Sequence, residues 1–287
     1  NVARHRCAET RAQLYRSLLG ILLIAFGLSA PSQAATNFEL FARHWQPYDW
    51  PERTPSASEV TRSQRGIGWH TDIARHTVGI QYDYQPLLIR TGDPAHNGHL
   101  HRVTLGGHLQ PGLYHIQLSA GLAGTSNMFK YQDFHEKIAN GRIAVFRAIR
   151  EDSTLSLGVG GDHRFGSFRW IPRVRWEHTN EQGRWLLDLP VLAQWQSPDN
   201  RWSLHLSRTG DRWATLDKAR DVESALYLRE WRAELNYRMN KGERAWPEVV
   251  LGLGASVDTR VRYQDLDTGT RDLRLGDTLL GSVTFHW

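Results

Sequence analysis

The sequence predicts an all-β chain, a transmembrane antiparallel up-and-down β-barrel of about twelve strands within a range of ~10–14. Three observations predict it. From about residue 76 onward, apolar and polar residues alternate with period two in segments separated by turn chemistry. No helical periodicity of useful length competes there. The chain also holds 12 tryptophans, several near segment ends, where an indole with an apolar body and a polar N–H suits a membrane interface. A barrel pairs every backbone donor and acceptor without an exposed edge, as hydrocarbon demands. Its walls never build a long greasy run, so a mean hydropathy of −0.51 is compatible with it.

The N-terminal segment predicts export. Arg4, Arg6, Arg11 and Arg16 precede a short apolar run from Leu18 to Leu28, and small residues at Ser32 and Ala34 suit cleavage before Ala35. That is the layout of a secretory signal peptide over residues 1–34, and the apolar run falls short of the ~20 residues a spanning helix needs. The only cysteine, Cys7, lies in this segment. The four arginines and one glutamate of residues 1–34 account for three of the five net positive charges, so bulk charge gives nucleic-acid binding little support. Residues 35–75 mix prolines with aromatics and lack steady alternation; they read as a periplasmic extension or plug before a barrel of residues 76–287.

The strands follow in order. Val78, Ile80, Tyr82 and Tyr84 alternate with polar neighbours, and residues 103–109 and 114–122 flank the turn Gln110-Pro111-Gly112. Residues 142–150, 155–161, 168–177, 185–195, 202–206, 212–216, 228–237 and 249–257 continue the pattern. An even number of strands leaves both termini on the periplasmic side. Trp170, Trp176, Trp185, Trp195, Trp202 and Trp287 stand where aromatic girdles are expected.

The final strand, Thr278 to Trp287, sets Leu279, Val283, Phe285 and Trp287 toward lipid and Thr278, Ser282, Thr284 and His286 toward the lumen. Ending on an aromatic residue, it resembles the closing strand of bacterial outer-membrane β-barrels. The resemblance implies an outer-membrane address, contact with outer-membrane lipid and a monomeric barrel. It also implies periplasmic chaperones, and recognition of Val283, Phe285 and Trp287 by the barrel-assembly machinery. Size and patterning also resemble the twelve-strand porins for acidic sugars, at the level of architecture.

The inward faces carry Arg169, Arg173, Arg175, Arg232, Arg238, Arg260 and Arg262, with Glu177, Glu230, Glu234 and Asp258 near them in sequence. An arginine surplus along one wall would line a narrow anion-preferring pore for small acidic solutes. Pairing of those arginines with the carboxylates would instead fill a closed structural lumen. A lipid-modifying enzyme is the third reading. The acid–His neighbours Asp162-His163 and Glu177-His178 point to opposite strand faces, however, so the sequence yields no catalytic set. His96, His99, His101 and His108 cluster in sequence, but His99 and His101 sharing one face make half a metal site, and neither metal nor cofactor is expected. Gly158-Val159-Gly160-Gly161 lies within a strand and eases packing rather than cradling phosphate.

Overall fold

The computed structural model describes residues 35–48, 60–74, 76–89, 98–130, 138–149, 154–163, 168–217, 222–239, 247–265 and 269–287. Residues 1–34, which the sequence marks as a candidate signal peptide and which include Cys7, lie outside the described residues, as does His96.

The strands are β1 (Ala35–Tyr48), β2 (Val60–Ile73), β3 (His76–Ile89), β4 (Gly98–Leu109), β5 (Tyr114–Thr125), β6 (Ala139–Ala148), β7 (Leu155–Asp162) and β8 (Arg169–Asn180). They continue as β9 (Gly183–Leu189), β10 (Leu192–Gln196), β11 (Trp202–Asp217), β12 (Val222–Met239), β13 (Glu248–Asp265), β14 (Gly269–Arg274) and β15 (Thr278–His286). Among the described residues one short helix, α1 (Ser126–Lys130), follows β5. Consecutive strands pair antiparallel from β1 to β13, and β1 closes on β15, so the sheet is a barrel without a free end. The β14 and β15 segments pair in turn with the upper and lower parts of β13 and form one interrupted strand. The wall therefore has fourteen positions rather than about twelve.

The difference has local causes. Within residues 35–75, set apart by sequence as an extension or plug, Ala35–Tyr48 and Val60–Ile73 form β1 and β2 in the wall. Their alternation is hidden because the inward face mixes Phe41, Trp45, Arg62 and Gln64 with glycine, while the outward face carries Phe38, Leu40, Ile67 and Trp69. The 185–195 segment breaks at Pro190-Val191 into β9 and β10, and 202–206 joins 212–216 as β11. Gly183 permits the β8–β9 turn with φ of 127°, in the left-handed region that favours glycine. Gly112, at φ 58°, sits in the expected turn between β4 and β5.

Outward residues form an apolar belt. Exposed Leu40, Ile67, Ile80, Leu118, Leu157, Leu204, Leu235, Leu251 and Leu279 mark it around the wall. On β13, Val249 to Val257 supplies five outward residues, about 26 Å at ~3.3 Å per residue, which matches the ~25 Å apolar band of an outer-membrane barrel. An aromatic ring borders the end that holds Ala35 and Trp287. Phe38 meets Trp287 at 5.5 Å, Trp185 meets Trp195 at 6.2 Å, and Trp202 meets Tyr237 at 4.6 Å. Trp176 lies on the same side, whereas Trp170 stands at the opposite end of β8.

Candidate functional site: a latched lumen

β9 and β10 are much shorter than their neighbours, so the wall is low between β8 and β11. Their antiparallel pairing reaches Val174 on β8 and Ser207 on β11. Above that level β11, still paired with β12 as far as Asp217, turns inward and closes against β5. Ala214 bridges Gly124 of β5 in parallel, although five strands separate β5 from β11 around the sheet. The chord reduces the upper barrel to nine wall positions, β1–β5 and β11–β14. Rings of about eight strands are narrow enough for side chains to fill.

They fill it in layers. The upper layer is apolar: Trp45, Tyr48, Val60, Leu87, Leu100, Ala123, Trp213, Leu226, Leu228, Val261, Leu275 and Leu280 form one buried cluster. A charged layer adjoins it. Glu230 accepts from Arg62 at 2.7 Å and from Arg232 at 2.5 Å, while both guanidinium groups lie over the Trp45 ring. The Trp45 indole donates to Ser256 at 3.0 Å. Glu234 takes Ser282 at 2.5 Å and faces Arg43 at 3.8 Å. Asp83 accepts from Gln64, Gln81 and Arg102.

The crossing joins apolar and polar contacts: Ala214 is buried with Met128 and Ile138, and Trp213 belongs to the apolar layer, while the neighbouring side chains are charged or polar. Asp211 of β11 accepts from Arg102 of β4 and, at 3.1 Å, from Arg142 of β6. Asn140 donates to the Arg212 carbonyl at 3.1 Å, and the Arg212 guanidinium donates to the Ala139 carbonyl at 2.5 Å. Beside these contacts lies a cavity of about 120 Å³ lined by Asp83, Arg102, Asn140, Arg142, His163, Asp211 and Arg212, among others. The charged side chains in its lining and the water-replaceable bonds around it distinguish this part of the latch from the apolar layer above.

The sequence-selected arginines separate into three groups. Arg173, Arg175 and Arg232 face inward and are ion-paired. Arg173 grips Asp188 with two bonds of 2.8 and 2.5 Å, and Arg175 donates to Glu177 at 2.7 Å. Arg169 and Arg238 stand at opposite rims, Arg169 exposed beside Asp162 in register and Arg238 paired with Glu248 at 3.2 Å. Arg260 and Arg262 do not face the lumen. Between Val257 and Arg260, β13 carries one extra residue opposite β12, and Asp258 there has φ of 49°. A bulge inverts the faces beyond it, so Val261 is buried and its two neighbours point outward. The residues that build the latch (Arg102, Asn140, Arg142, Asp211 and Arg212) escaped sequence reasoning, because their meeting depends on a chord between strands far apart in the chain.

A different cluster occupies the outer surface of β3 and β4. Ser126 Oγ lies 2.7 Å from His101 Nε2, and His101 Nδ1 lies 2.8 Å from the Tyr82 hydroxyl. Tyr84 meets His99 Nδ1 at 2.6 Å. The two same-face histidines thus face tyrosine hydroxyls, and among the described residues no group of three or more His, Cys, Asp or Glu is placed to hold a metal.

These features define a closed antiparallel β-barrel of the outer-membrane type. No protein-family model matches the chain, and no curated protein matches it. Among solved structures it is similar to a bacterial polysaccharide outer membrane secretin, with 9% identity and TM-score 0.39, over 88% of this chain and 97% of that one. It is also similar to a deletion mutant of the TodX monoaromatic hydrocarbon channel (8%, TM-score 0.39, 90% of each chain). A third is the outer membrane protein OpdK from Pseudomonas aeruginosa (6%, TM-score 0.31, 89% of this chain and 98% of that one). Likeness at these values is likeness of architecture and says nothing about a solute.

Proposed function

We propose that this protein is a gated outer-membrane channel for small polar solutes, with the upper half of β11 as its gate. The supporting observation is the chord itself. A fourteen-position wall encloses more space than side chains alone fill. The lumen is narrowed because β11, with β12 beside it, closes on β5 through the Ala214 bridge, the Asp211 ion pairs and the small apolar cluster of Met128, Ile138 and Ala214. Returning that segment toward the low wall above β9 and β10 exchanges those bonds for water and opens the lumen. Anion preference is the finer part of the proposal: Arg102, Arg142 and Arg212 outnumber Asp83 and Asp211 in the cavity lining. Export with cleavage before Ala35, and insertion through recognition of Val283, Phe285 and Trp287 by the barrel-assembly machinery with periplasmic chaperones, belong to the same reading.

The test is planar-bilayer conductance of refolded protein carrying Gly124→Cys and Ala214→Cys. Oxidation should silence the channel, and reduction should restore conductance with an anion-selective reversal potential. Silence in both states overturns the channel and supports a second reading, a closed scaffold barrel, which the continuous apolar layer favours. Equal conductance in both states overturns the gate.

A further inference from the structure

The outer face of β12–β14 carries a row of like charges. Arg229 on β12 is directly opposite Arg260 on β13, which is directly opposite Arg274 on β14. Adjacent strands lie ~4.8 Å apart, and like charges directly opposite one another destabilise a sheet. Arg208 and Arg262 flank the row, and the same face offers Asp258, Asp272 and Asp277. Arg262 is taken by Asp272 through two bonds of 2.6 and 3.0 Å. Asp258 is shared between Arg260 at 3.0 Å and Arg274 at 3.8 Å. Among the described residues the remaining face is net positive, and the Arg260 and Arg274 side chains are 42% and 66% exposed.

Position gives the charge a meaning. One step below the row are Trp231 and Val257, the last apolar outward residues of β12 and β13. Arg208 lies over the Trp231 ring at 5.7 Å. The row therefore sits where the apolar belt ends, on the side away from Ala35 and Trp287. For a barrel whose termini are periplasmic, that is the headgroup level of the outer leaflet. The β13 bulge that turns Arg260 and Arg262 outward is the backbone device that builds the row.

We infer that the arginine row formed by Arg229, Arg260 and Arg274 is a binding site for the phosphate groups of outer-leaflet glycolipid. Guanidinium forks match phosphate oxygens with paired charge-assisted hydrogen bonds, and a bound dianion removes the repulsion that the row otherwise carries.

The refolded barrel in detergent micelles is titrated with bisphosphorylated lipid A, with the same lipid stripped of both phosphates, and with inorganic phosphate. Retained lipid is counted by native mass spectrometry, and the thermal unfolding midpoint is followed. Bisphosphorylated lipid A should bind and raise the midpoint, and the other two should not. Arg229→Gln, Arg260→Gln and Arg274→Gln together should weaken binding on the order of 100-fold, roughly fivefold per arginine. In detergent alone that triple variant should be at least as stable as the parent, since repulsion is relieved. Arg147→Gln, at the opposite rim, should bind lipid as the parent does. If the triple variant fails to fold, Arg229→Gln alone carries the test. Equal binding by the stripped lipid, an equal effect of inorganic phosphate, or undiminished binding by the arginine variants overturns the site.

Discussion

Asp211 on β11 joins Arg102 on β4, and through that ion pair a strand from one side of the barrel is held against the other. The same carboxylate also receives Arg142 of β6, so a single side chain ties β11 to two strands across the lumen. These ion pairs are the charged part of a contact that also buries Trp213 and Ala214, and they are the part that water can replace when the segment opens locally.

Asp211→Asn should therefore raise the open probability of the channel in planar bilayers, because an amide keeps the size but loses both charge-assisted bonds. Global stability to urea should change by about 1–3 kcal/mol at most, as expected for charged hydrogen bonds in a partly solvated site. Single-channel recordings indistinguishable from the parent would mean that Asp211 does not hold the gate.

Glu230 presents the opposite case. It is buried with Arg62, Arg232, Thr209 and Thr259 around it, so removing its carboxylate strands two guanidinium groups. Glu230→Ala should destabilise the barrel by about 3–5 kcal/mol, the usual effect of breaking a buried pair. Adding Arg62→Met should recover part of that loss, and a urea-unfolding double-mutant cycle measures the coupling. An additive cycle would show that the two residues act independently.

Much of the wall was legible in the sequence. The outward series Trp231, Ala233, Leu235, Tyr237 and the inward series Glu230, Arg232, Glu234 follow from period-two alternation alone. Alternation failed where a face stops being uniform. On β1 and β2 the lumen side carries large aromatics and glycine together: Phe41 packs into the space at Gly66, whose added Cβ would lie 2.2 Å from the ring. On β13 one extra residue reversed the faces of Arg260 and Arg262. The latch was illegible for a topological reason, since no local pattern tells that β11, while paired with β12, turns inward to meet β5.

The Ser126–His101 contact requires its own test, because a serine beside an imidazole is the first requirement of a nucleophilic hydrolase. His101 is oriented by the Tyr82 hydroxyl rather than by a carboxylate, so the imidazolium that proton transfer would create lacks the anion that stabilises it. We expect no labelling of the refolded protein by a fluorophosphonate probe and no release of fatty acid from phospholipid micelles. Labelling that disappears in Ser126→Ala would instead make this outer face a catalytic one.

Trp287 closes the barrel as well as ending the chain. Its backbone exchanges two hydrogen bonds with Phe38, of 2.9 and 3.1 Å, beyond the last registered pair of β1 with β15, and its ring meets those of Phe38 and Phe285. Deleting it removes both seam bonds and one aromatic of the lower girdle at once. The deletion should slow assembly in cells and expose the chain to periplasmic proteolysis, read as loss of the compact, heat-modifiable band on gels. Trp287→Phe, which keeps the backbone bonds and an aromatic ring, should assemble nearly as the parent does. Normal insertion of the deletion would show that the seam forms from Glu39–His286 onward without help from the terminal residue.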